Sequence, residues 1–96
     1  MSKDSFLAIV KEAYDSANGD IRFNDPRQRN RLDDAYSWMK DLVSKDELTG
    51  DDREVLINRI ESCDFRTEII SPHGEVYFLV LCLCLLNRDF PKKSDL

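Results

Sequence analysis

Apolar residues recur at Phe6, Ile9, Val10, Ala13, Tyr14 and Ala17, the i, i+3, i+4, i+7 spacing that puts one stripe of a helix against a core. The spacing predicts a helix over 5–17, with Asp4 or Ser2 placed to cap its start. Asn18-Gly19 supplies residues that tolerate the left-handed backbone of a helix stop. A second start signal follows a short connector: Asp25 as N-cap, Pro26 at the first helical position and Gln28 where a capping box wants it. From there Leu32, Ala35, Tyr36, Met39, Leu42 and Val43 keep helical period to about Ser44. A third helix begins at Thr49, with Asp51, Asp52 and Glu54 in the first turn, where the helix dipole favours negative charge. Its stripe is read through Ile57, Ile60 and Cys63, with Val55 and Leu56 flanking it.

The fourth element is the eleven-residue apolar run Val76–Leu86. Two readings compete at its entrance. In a hairpin, Pro72 and His73 form the corners of a type I turn and Gly74 takes the left-handed position. In a helix, Ser71 is the N-cap, Pro72 the first residue and Glu75 part of the first turn. Length and the dominance of leucine over β-branched residues favour the helix. A membrane span is excluded, since a bilayer core needs about twenty apolar residues. Glu75 stands directly before the run, and Asn87, Arg88 and Asp89 close it. Because the run is apolar on every side, the expectation is a central helix around which the others pack, and Leu81→Asp or Leu83→Asp should unfold the protein. The architecture expected is a single all-α domain of about four helices, with 1–3 and 91–96 frayed. The alternative is an α+β fold with a C-terminal hairpin around 71–74.

Ninety-six residues fit one domain, and a formal net charge of −5 disfavours nucleic acid and anionic membrane as partners. Cys63, Cys82 and Cys84 are an odd count with two inside the apolar run, which argues against a disulfide framework. The N-terminus carries no secretory pattern, so a cytoplasmic location is expected. Structural zinc takes four ligands, and on a helix the thiols of Cys82 and Cys84 point about 200° apart, so no metal or other cofactor is expected. The carboxylates Asp33, Asp34, Asp46, Glu47, Asp51 and Asp52 lack the alternation of a calcium loop and are read as caps and solvated charge. His73, the sole histidine, has no nucleophile or orienting partner visible in sequence; an enzyme using it with nearby carboxylates is the competing functional class.

The most suggestive polar feature is "RFNDPRQRNR". Arg22, Arg27, Arg29 and Arg31 crowd the start of a helix in an acidic chain, where the dipole disfavours cations. Such a cluster suits an anionic ligand or an acidic peptide. The bland reading is that these arginines pair with Asp33, Asp34 or the acidic turn beyond the second helix. Trp38 falls off the main stripe of that helix and is either sandwiched in the core or part of a partner surface. The would-be recognition helix of a helix–turn–helix reader begins Gly-Asp-Asp-Arg-Glu, which repels phosphates, so no nucleic acid is expected. The leading reading is therefore a non-catalytic accessory or regulatory protein acting by protein or anionic-ligand binding, with a homodimer as a third class.

The stretches "FNDPRQRNRLDDAYSWM", "LTGDDREVLINRIES" and "ISPHGEVYFL" make the chain resemble small enterobacterial proteins of the YoaC type over nearly its whole length. The resemblance implies a compact all-helical fold in a bacterial cytoplasm. It carries no activity, cofactor or site residue with it.

Overall fold

A computed structural model describes residues 1–63 and 73–89, with the side chain of His73 outside that description. The described residues form α1 (Lys3–Asn18), a single 3-10 turn η1 (Ile21–Asn24), α2 (Pro26–Asp41), α3 (Gly50–Glu61) and α4 (His73–Asp89). They contain no strand, and the fold is all-α. The helix reading of the apolar run holds from His73 onward; Ser71 and Pro72 lie outside the described residues.

Local chemistry explains most helix starts. The Ser2 hydroxyl accepts from the Ser5 N–H and caps α1. Asp25 accepts from the Arg27 N–H, with Pro26 just inside α2. At α3 a complete capping box forms: Thr49 Oγ1 accepts from the Asp52 N–H and the Asp52 carboxylate from the Thr49 N–H. The capping box expected at α2 does not close. The Asp25 N–H goes to the Arg22 carbonyl, and Gln28 Oε1 turns towards Gly74 instead. Gly19 ends α1 with a right-handed backbone (φ −85°), so the left-handed stop expected there is absent. Residues 1–3, expected to fray, pair with 46–48. The Lys3 N–H donates to the Asp46 carbonyl and the Leu48 N–H to the Met1 carbonyl, both at 2.8 Å.

The core gathers Phe6, Ile9, Val10, Ala13 and Ala17 of α1 with Leu32, Ala35 and Met39 of α2, Leu56 of α3, and Phe78, Leu79, Cys82 and Leu86 of α4. The stripe of α3 is centred on Leu56, not on Ile57, and the buried Arg53 shares it. Aromatic rings tie three helices together: Tyr14 stacks on Tyr36 at 4.1 Å, and Phe78 meets both rings edge-on at 6.4 and 6.3 Å. The Tyr14 hydroxyl donates to Asp33 Oδ1, one of the carboxylates the bland reading assigned to arginine.

The main correction concerns α4. It packs against α1, α2 and α3, but its burial is one-sided. Phe78, Leu79, Cys82 and Leu86 are buried, while Tyr77, Val80 and Cys84 face outward. Val76, Leu81, Leu83 and Leu85 lie half-buried between the two faces. A central helix would need neighbours on every side. The other described helices cover one side of it only.

Candidate anion-binding surface

The arginines predicted as a cluster are dispersed by the turn geometry that holds them. Successive helix residues rotate by about 100°, so Arg29 points away from the face that Arg27 and Arg31 share. Arg29 reaches back to α1 and donates to Asn18 Oδ1. Arg27 folds onto its own N-cap, with Nη2 at 3.3 Å from Asp25 Oδ2. Arg22 does the same in η1, its Nε at 2.9 Å from Asp20 Oδ1. Arg22, Arg27 and Arg31 do pair internally, with Asp20, Asp25 and Glu75 respectively. Both aspartates sit well placed to accept backbone N–H groups, which, with the arginine beside them, holds their carboxyls below the ordinary 3.8.

Three of the five predicted residues, Arg22, Arg31 and Trp38, gather around the first turns of α4, an arrangement the sequence did not reveal. Glu75, in the first turn of α4, is buried with its side chain 11% exposed. Arg31 of α2 donates to its Oε2 at 3.3 Å, and Arg59 of α3 donates to its Oε1 at 2.6 Å. The Arg59 guanidinium lies over the Trp38 ring, 4.6 Å from the centroid, and is itself about one-third exposed. Its Nε is buried and makes no hydrogen bond among the described residues. Two residues on, about 200° round α4 and on its outer side, the Arg22 guanidinium lies over Tyr77 at 4.7 Å. Arg22, Arg31 and Arg59 thus reach the first turns of α4 from three different elements.

The backbone is drawn in tightly at this point. A Cβ on Gly74 would stand 2.7 Å from Phe23 Cε1 and 2.8 Å from Gln28 Oε1, so the glycine lets α4 close onto η1 and α2. Arg59 and Glu75 were the residues missed. Their signal in the sequence was weak: Glu75 reads as an ordinary first-turn acid, and Arg59 as a surface cation.

Chemically the arrangement presents planar guanidinium groups stacked on aromatic faces, a geometry suited to carboxylate or phosphate recognition. Among the described residues no three His, Cys, Asp or Glu side chains come together as a metal site, and Cys82 and Cys84 lie on opposite sides of α4. No described helix is long and apolar enough to cross a membrane. Comparisons with protein-family models, curated proteins and solved structures gave no match to this chain.

Proposed function

We propose that this chain is a non-catalytic accessory or regulatory protein of a bacterial cytoplasm, akin to the YoaC type, that binds an acidic stretch of a partner or another anionic ligand. The observation that carries the reading is Arg59 laid on Trp38: a stacked, partly exposed guanidinium that donates to Glu75 and has donors to spare. Arg22 and Arg27, with side chains 42% and 67% exposed, belong to the same reading. Their pairs with Asp20 and Asp25 are solvent-screened surface ion pairs and yield to a better anion at little cost. Arg31, tied to a buried carboxylate, serves to hold the surface together, and Arg29 is committed to α1.

Trp38 is the sole tryptophan, so its fluorescence reads the Arg59 stack directly. Titration with inorganic pyrophosphate and with poly-glutamate should give a saturable emission change. The double substitution Arg22→Ala, Arg27→Ala should weaken that binding at least fivefold while leaving the melting temperature within a few degrees. Emission that does not respond to either probe contradicts the proposal.

A further inference from the structure

α4 carries no charged side chain between Glu75 and Arg88, yet its neighbours among the described residues bury only one arc of it. At about 100° per residue, Tyr77, Val80 and Cys84 fall within one narrow outward arc. Tyr77 and Val80 are 37% and 38% exposed. Half-buried Leu81 and Leu85 flank the arc on one side, Val76 and Leu83 on the other. A continuous apolar face of this kind on a charged protein marks an interaction surface.

The charges at its two ends indicate the occupant. At the N-terminal end Arg22 lies over Tyr77, and its side chain is more exposed than that of its partner Asp20 (42% against 23%). At the C-terminal end one guanidinium, Arg88, serves two carboxylates, Glu12 and Asp89. Among the described residues, one end therefore offers a cation and the other an excess of negative charge. Two copies of α4 laid antiparallel bring each end against its opposite, twice over, by the two-fold symmetry of the pair. A parallel pair would set like ends together.

We propose that the outer face of α4 is a self-association surface, on which a second copy of this chain docks its own α4 antiparallel, with the two-fold axis passing near Val80. Arg22 of each copy then faces Glu12 and Asp89 of the other. The two Val80 side chains meet at the axis. The two Cys84 residues stand about 12 Å apart along the helix direction, beyond the Cα separation of about 4.4–6.8 Å that a disulfide accepts.

Three measurements on the full chain decide this. Sedimentation of the wild type over a hundredfold range of concentration should show a monomer–dimer equilibrium. Val80→Glu should keep the wild-type circular dichroism and melting temperature at high dilution while weakening dimerisation at least tenfold. Under mild oxidation, Val80→Cys in a Cys84→Ser background should cross-link to dimer, whereas Cys84→Ser alone and the wild type should not. A monomer at every concentration overturns the proposal, and leaves the face to another protein or to nothing. Cross-linking through Cys84 in the wild type overturns the antiparallel arrangement. Unfolding of Val80→Glu at high dilution overturns it equally, because the face would then be buried within the monomer.

Discussion

Gly74 and Gly50 show how differently one residue type acts in this chain. Both stand at helix starts, and neither has a positive φ. At Gly74 an added methyl meets Phe23, whose ring is buried and has nowhere to retreat. Gly74→Ala should therefore cost about 1–3 kcal/mol, as overpacking does. At Gly50 nothing lies within 4 Å of the added carbon. Gly50→Ala should stabilise by about 0.4–1 kcal/mol through the lowered entropy of the unfolded chain. Urea midpoints of the two variants, expected to move in opposite directions, check both. Glu75 is the other decisive residue. Glu75→Ala removes the carboxylate that Arg31 and Arg59 share, and the loss should be about 2 kcal/mol, below that of a fully buried pair because both arginines keep some solvent. None of this was legible in the sequence. Gly74 was read as a candidate for left-handed backbone, whereas its role is close approach to residues some fifty positions earlier. The partners of Glu75 lie 44 and 16 residues away, on other helices.

At the scale of elements, helix starts were legible where the chemistry is local. Asp25 with Pro26, and Thr49 with its acidic first turn, satisfy backbone donors within three residues, and the structure realises both. Aspartate caps also contribute to the acid dependence of stability. Asp20 and Asp25 have folded-state values below 3.8 because their carboxylates accept backbone N–H bonds first and arginine bonds second. A carboxyl depressed on folding contributes stability that is fully present above its unfolded value and is lost as pH falls through its folded value. Denaturant midpoints should therefore hold steady above about pH 5 and fall below about pH 4, near the unfolded aspartate value. Asp25→Asn, which still caps, should flatten part of that fall. The phase of α4 was not legible, since periodicity vanishes when every residue of a helix is apolar. Its burial depends on how many neighbours surround it, a property of the other helices. The expectation that Leu81→Asp or Leu83→Asp unfolds the protein accordingly moves to the buried arc. Leu79→Ala should cost about 2–5 kcal/mol and Val80→Ala no more than about 0.5 kcal/mol, measured by thermal melts in dilute solution.

For the whole molecule, the all-α class followed from three periodic segments and one long apolar run, and the described residues hold a helix at each. Arrangement did not follow. α4 is an outer helix secured at its N-terminal turn by the Arg31–Glu75–Arg59 cluster and along its length by Phe78, Leu79, Cys82 and Leu86. The two cysteines of the apolar run therefore occupy opposite environments on a single helix. Burial pushes the Cys82 thiol up to about 12, so it resists ionisation as well as access, while Cys84 faces outward. Timed alkylation of the native protein with iodoacetamide at low micromolar concentration, followed by peptide mass spectrometry, tests this placement most directly. Cys84 should react at close to the rate of a free thiol, and Cys82 only as fast as the protein unfolds. Equal rates at the two positions, or protection of Cys84 at that dilution, would contradict the one-sided burial of α4.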